Sequence, residues 1–338
     1  MKVIYTTTWW PGIGHHSALS GYQRLVHHID LPKTLIISKM FEFGPPLVRS
    51  QLRKVRTELQ AFSVNGDIVH HLYGEETYLS SPIIKRVYRH KRLVVTFHYP
   101  SPRSTRLGPR FEQASLNAAD LIITVSKNQQ TLFRSMVRDP DKVHFIPHGV
   151  EAGMFERSNF SKRNCLMVGL FLRDYDIAIK AMRELWNEGV NLNFDIVVPK
   201  VIAKKGEELK KAGPPNLRLH VGVSDEQLMK LYSSSRIFLQ TLTDVTASNA
   251  ILEAMASGLP IVVTDVGGAR DYLNERAAIF VPKNNTRAVV NALRTLAVDD
   301  ELCRRMGNES RRLAEQFSWD KIAKTYLLMY HKIIDCKQ

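Results

Sequence analysis

The chain is poor in cysteine, short of acid and free of long apolar runs. Cys165, Cys303 and Cys336 are odd in number, far apart and without a Cys-x-x-Cys pair. That pattern excludes a disulfide framework and a zinc ribbon, leaving buried or idle thiols. The longest greasy stretches, such as Leu93 to Phe97, are strand-sized. They fall far short of the ~18 residues that a bilayer-crossing helix needs. Met1 to Trp10 lacks the apolar block and small-residue cleavage site of a secretory leader and reads as a first strand, so a cytoplasmic protein is expected. Histidines are plentiful, at His15, His16, His27, His28, His70 and His71. Adjacent ones on a helix or strand point apart and cannot share one ion, so no metal site is expected.

Acid is scarce against base: 33 Asp and Glu face 47 Lys and Arg, for a net charge of +14. Up to residue 155 the count is 20 basic against 11 acidic, an excess of 9. Two clusters stand out, Arg49, Arg53, Lys54 and Arg56, then Lys85, Arg86, Arg89, Lys91 and Arg92. They would attract phospholipid headgroups or nucleic acid, or form a solvated basic face. No helix-turn-helix, zinc finger or RNA-binding aromatic motif accompanies the charge, so no specific nucleic acid is expected.

What is present is ample core material. At 338 residues and 44% hydrophobic, the chain exceeds the size at which one core keeps growing, and two domains are expected. Short β-branched runs recur at Val3–Tyr5, Leu35–Ile37, Ile68–His71, Leu93–Phe97, Leu121–Val125 and Val143–Ile146. The rhythm repeats at Cys165–Val168, Phe194–Val198, Leu217–Val221, Ile237–Leu239, Ile261–Thr264 and Ile279–Val281. Continuous apolar strands alternating with amphipathic helices predict an α/β fold of two doubly wound, parallel-sheet domains. Ser224 with Gln227 is a capping box. A linker is expected near Gly149 to Ser161, and Trp319 to Ile334 reads as one amphipathic helix. In such folds ligands bind beyond the carboxyl ends of the strands.

The most informative stretch is Asp244 to Arg270. A helix over Ala247 to Ser257 places Ile251, Ala254 and Met255 on one stripe and Asn249 and Glu253 on the opposite face, away from the core. Its first turn, from Thr246 to Asn249, has small side chains and unpaired amides suited to a phosphate. Geometry alone leaves Glu253 either a ribose ligand or a surface carboxylate. In the first strand-to-helix loop, Gly12-Ile13-Gly14 lacks the third glycine of a dinucleotide fingerprint, which excludes NAD and FAD.

Ser248-Asn249-Ala250-Ile251-Leu252-Glu253-Ala254-Met255-Ala256, followed by Gly258-Leu259-Pro260 and Gly267-Gly268, resembles the signature of family 4 retaining glycosyltransferases of the GT-B fold. Ala119-Asp120 with Thr124-Val125-Ser126, Ile146-Pro147-His148-Gly149-Val150 and Ser318-Trp319 follow the family pattern in order, so the resemblance covers nearly the whole chain. It implies two Rossmann-like domains facing a central cleft. Residues 1–155 would take the acceptor, 156–317 the nucleotide-sugar donor, and 318–338 would cross back to the first domain. The implied activity is retaining, metal-independent hexosyl transfer in glycan biosynthesis, from a UDP- or GDP-sugar to a glycan or lipid-linked acceptor. No cofactor is needed beyond the co-substrate, and peripheral contact with an anionic membrane goes with the basic first domain.

The resemblance also distributes roles. Glu253 binds ribose; Asp244, Thr246, Ala247, Ser248 and Asn249 contact sugar or phosphate; Arg173, in Arg173-Asp174-Tyr175-Asp176 ahead of a helix Ile177 to Trp186, neutralises the departing diphosphate. Gly21 lies in the phosphate loop, His98 contacts the transferred sugar, and His15, His16 and His148 are cleft residues. The chain departs from the family where Val245 replaces a glutamate eight residues before Glu253, and where Leu170 or Phe171 replaces an arginine. A non-catalytic sugar-nucleotide binder, a sugar-nucleotide epimerase and, on charge alone, a nucleic-acid-binding protein are the alternative readings.

Overall fold

The computed structural model describes residues 1–8, 21–38, 46–78, 80–100, 109–158 and 163–335. His15, His16 and Cys336 lie outside them. Among the described residues twelve strands form two six-stranded parallel sheets. The first contains β1 (Val3–Thr8), β2 (Lys33–Ser38), β3 (Ile68–His71), β4 (Arg92–Phe97), β5 (Leu121–Thr124) and β6 (Val143–Phe145), in the order β2-β1-β3-β4-β5-β6. The second contains β7 (Asn164–Val168), β8 (Asn193–Val198), β9 (Leu217–Val221), β10 (Ile237–Gln240), β11 (Ile261–Thr264) and β12 (Ala278–Val281), in the order β12-β11-β10-β7-β8-β9. Every run read from the sequence is a strand.

Central strands β1, β3, β5, β7, β10 and β11 are buried at every residue, as parallel strands covered on both faces must be. Edge strand β2 instead shows Leu35 and Ile37 to solvent and buries Ile36 and Ser38, the two-residue period of a half-covered strand.

The chain divides into two compact units. One holds Tyr22–His148 with β1 and the final helix Trp319–Asp335; the other holds Gly149–Ser318. The segment after His148 is no loose linker. Val150 donates to the Phe317 carbonyl at 2.9 Å, Val150, Ala152 and Phe155 are buried in the second unit's core, and Ser158 donates to Ser257 O at 2.9 Å. Its apolar residues, at irregular spacing around the 3-10 turn Ala152–Met154, pack as a strap, which strand alternation does not reveal.

The sheet order reverses once in each unit, between β1 and β3 in the first and between β7 and β10 in the second. Such reversals open a crevice at the carboxyl ends of the flanking strands. Helix starts are locally encoded: Ser224 and Gln227 form the reciprocal capping box of the helix Asp225–Ser233, and Asp174 caps Tyr175–Asn187 by accepting from Ile177 N at 3.2 Å.

Candidate functional site

At the second unit's reversal, β7 ends at Val168 and β10 at Gln240, and Arg173 spans the two. Its Nε donates to Val168 O at 3.1 Å, Nη1 to Phe171 O at 2.8 Å and Nη2 to Ser248 Oγ at 3.4 Å. With its amide oxygen turned to the guanidinium, Gln240 accepts from Nε at 2.5 Å and Nη2 at 2.6 Å. No carboxylate among the described residues pairs with Arg173. Burial draws its pKa down to about 10, still far above neutrality, so the guanidinium stays positive and, among the described residues, is met by dipoles alone.

The loop carrying this arginine is over-determined. Asp174 N donates to Thr241 O and Thr243 N to Leu172 O, both at 3.0 Å, stitching the loop antiparallel to the segment after β10. Leu172 is held at φ 58°, a conformation costly for a branched side chain and kept only by such surrounding bonds.

Ser248 caps the helix Asn249–Ala256, its Oγ accepting from Ile251 N at 3.4 Å. The amides of Asn249 and Ala250 have no intrahelical acceptor. The helix is therefore two residues shorter at its start than expected, and it begins where Arg173 reaches Ser248. Thr246 and Ser248 are buried, while Asp244, Ala247 and Asn249 are half-buried. Asp244 turns back on its own loop, its Oδ1 accepting from Val245 N at 2.7 Å. Val245 itself packs into the core, and its carbonyl accepts from Gly268 N at 2.7 Å.

Glu253 corrects the sequence reading. It does not face outward: it is 2% exposed, and its Oε2 accepts from Tyr232 Oη at 2.9 Å. The helix is buried on nearly every side because the helix Asp300–Gln316 covers the face opposite the sheet, and an all-round apolar helix needs such cover. Tyr232 also lies 3.3 Å from Ala250 O, and burial, reinforced by the adjoining carboxylate, holds its phenol well above the usual range. Sequence reasoning missed Gln240, Tyr232 and Gly169. The readable signals were a polar residue ending an apolar strand and a glycine directly after one.

In the first unit His98 follows β4. Its Nε2 donates to Leu72 O at 2.9 Å, and Glu75 Oε1 accepts from the His98 and Tyr99 amides, the latter at 2.7 Å. Tyr73 stacks on the His98 ring at 4.7 Å and Tyr22 meets it edge-on at 4.6 Å. His148, 3% exposed, joins the same cluster, 6.1 Å from His98 and 5.2 Å from Trp319. Gly21, which groups with the second unit, is buried and directly precedes the turn Tyr22–Arg24. The pair His70 and His71 does point apart: His70 bonds Tyr330 and Thr96, and His71 bonds Thr6.

The architecture is that of the GT-B class, two Rossmann-like units each with a switch point. Solved structures of the same fold include Anabaena Alr3699/HepE in complex with UDP and glucose, at 14% identity and TM-score 0.77 over 98% of this chain and 100% of that one. Sucrose-phosphate synthase from Thermosynechococcus elongatus matches at 15% identity and TM-score 0.78, over 99% of this chain and 100% of the other. The profile of Glycosyltransferase Family 4 matches residues 13–153, and that of Glycosyl transferases group 1 matches residues 156–313. The chain belongs to this family of glycosyltransferases. A D-inositol 3-phosphate glycosyltransferase of Streptomyces bingchenggensis is 27% identical over 66% of this chain and 54% of its own length. An O-antigen chain mannosyltransferase C of Escherichia coli is 23% identical over 73% of this chain and 70% of its own. The chain thus spans about half the length of the first of these relatives.

Proposed function

We propose that this chain is a metal-independent retaining glycosyltransferase whose second unit binds a UDP- or GDP-sugar and whose first unit takes a glycan or lipid-linked acceptor. The observation that carries the reading is Arg173, a guanidinium held by carbonyls and amides at the switch point, beside the open first turn of the helix Asn249–Ala256. A cation with no carboxylate partner among the described residues, next to two amides without helical acceptors, suits a diphosphate and stabilises it further as it leaves. Glu253, oriented by Tyr232, takes a ribose hydroxyl, and Asp244, Thr246 and Ala247 line the sugar's side of the loop.

His98 fits a sugar contact better than a proton carrier, because its Nε2 proton is committed to Leu72 O. Gly21 and His148 are further ligand contacts in this reading; His15 and His16, assigned to the cleft by the resemblance, lie outside the described residues. Support for a nucleotide-sugar donor also comes from the UDP held by the Anabaena protein of the same fold.

Calorimetric titration with UDP, GDP and ADP and their glucose or mannose conjugates tests the proposal. One nucleotide class should bind, and Arg173→Ala should weaken the diphosphate far more than the bare nucleoside. Equal loss for both would remove Arg173 from the phosphate site. Binding with no sugar transfer to any acceptor, hydrolysis included, would favour the non-catalytic relative, to which the buried Val245 in place of a carboxylate already points.

A further inference from the structure

The basic clusters of the first unit separate in the fold into two populations. Most are internal. Arg53, 4% exposed, donates to Glu76 Oε2 at 2.8 Å, Lys54 to Glu75 O at 2.6 Å, Lys85 and Arg92 to Asp120, and the buried Lys91 to Val64 O. These hold the unit together and attract nothing from outside.

Arg56, Arg86 and Arg89 lie on two outward stripes. On the helix Pro46–Ser63, Leu52, Arg56 and Leu59 follow one another at helical spacing on the exposed face. On the helix Ser81–Val87, Ile83, Arg86 and Val87 do the same, with Arg89 just beyond. The two helices lie side by side: the Ser80 amide donates to Glu58, and the Phe62 and Tyr88 rings are 5.8 Å apart. Leu52 is 55% exposed, Leu59 50%, Ile83 66% and Val87 76%. The only carboxylate on either helix, Glu58, is fully buried.

We propose that this face is an in-plane docking surface for a bilayer rich in anionic phospholipid. Aliphatic side chains exposed among arginines, with no exposed carboxylate on either helix, match the acyl-headgroup boundary on one side and anionic headgroups on the other. The helix Pro46–Ser63 is about 27 Å long at 1.5 Å per residue, enough to lie flat along the interface. Nucleic acid fits less well, because the exposed apolar residues are aliphatic and offer no stacking platform. A second copy of the same face would bring arginines against arginines.

The full chain is mixed with vesicles of phosphatidylcholine alone and of phosphatidylcholine with phosphatidylglycerol, and bound protein is measured by flotation. Binding should be at least about tenfold stronger to the anionic vesicles and should fall as salt rises. The double variants Ile83→Glu/Val87→Glu and Arg86→Glu/Arg89→Glu should each lower it by about tenfold or more, with the melting temperature and nucleotide affinity unchanged. Equal binding to both vesicles, or binding untouched by either variant, overturns the proposal. So does salt-sensitive binding to RNA or DNA with none to vesicles, and so does a dimer in light scattering that Ile83→Glu/Val87→Glu dissolves.

Discussion

A β-carbon on Gly169 would sit 2.7 Å from Nη2 of Arg173 and 3.1 Å from its Nε, so the guanidinium occupies the space that glycine leaves empty. Gly169 also stands at φ +111°, which other residues rarely adopt. Gly169→Ala is therefore expected to displace Arg173 as well as strain the turn. Affinity for the nucleoside diphosphate should fall roughly tenfold to a hundredfold, a loss of about 1.4 to 2.7 kcal/mol. Arg173→Lys should lose nearly as much, since an ammonium cannot hold Val168 O, Phe171 O and Ser248 Oγ at once. Calorimetry on the two variants checks both; unchanged affinity in Gly169→Ala would dissociate the glycine from the site.

Gly267 supports the opposite wall of the same loop. A β-carbon there would collide with the Val245 carbonyl oxygen and lie 2.5 Å from Asp244 Oδ1, and its φ is +53°. Gly267→Ala should cost about 2 to 4 kcal/mol, the sum of left-handed strain and forced separation of two loops. Gly189 supplies the control, with φ +71° and nothing within 4 Å of its added β-carbon. Gly189→Ala should cost only about 1 kcal/mol. Urea unfolding of the two variants distinguishes collision from strain, and equal losses would leave only strain.

The strands were legible because each parallel strand is a continuous β-branched run, and the capping box at Ser224 needs only residues three apart. Glu253 was misread because its burial depends on Tyr232 and the helix Asp300–Gln316, neither of which helical periodicity around Glu253 can reveal. Two members of the basic clusters were misread for the same reason. Arg53 and Lys91 look like surface charge until the fold brings Glu76 to one and the Val64 carbonyl to the other. Arg173 was legible as a cation after a strand, but its bond to Ser248 crosses 75 positions.

Tyr232 and Glu253 form a buried donor and acceptor pair, which makes the tyrosine's hydroxyl separable from its ring. Tyr232→Phe keeps the packing against Phe155 and Phe238 and removes the donor to Oε2. The carboxylate then loses a partner inside the protein, at a cost of about 1 to 3 kcal/mol. Glu253→Gln keeps a polar group against the tyrosine and should preserve the fold while weakening the ribose-bearing ligand. Thermal unfolding and nucleotide titration on both variants read the two effects apart. If Tyr232→Phe is as stable as the parent, the hydrogen bond does not hold Glu253.

Three buried groups of the first unit give stability a pH dependence whose sign is fixed by their environments. Burial holds His70 well below its ordinary pKa, with His71 and His98 adding to the effect, and burial alone pushes His71 to about 3. Burial raises Glu75 to about 7, opposed by the amides of Tyr99 and His98 and reinforced by the neighbouring charge of Glu76. Between about pH 6 and 5 the unfolded chain holds a proton on each histidine that the folded chain lacks, while the folded chain holds one on Glu75 that the unfolded chain lacks. The histidines therefore lose stability on acidification and Glu75 returns part of it. The net loss for one uncompensated proton is about 1.4 kcal/mol per pH unit. Glu75→Gln removes the compensating carboxyl, so its stability in urea should fall more steeply over that range, by about a further 1.4 kcal/mol per pH unit. Above about pH 7, where Glu75 is ionised in both states, the variant should exceed the parent by a constant margin. Parallel pH profiles for parent and variant would mean that Glu75 titrates as an ordinary carboxylate and that the His98 turn is not held by a buried charge.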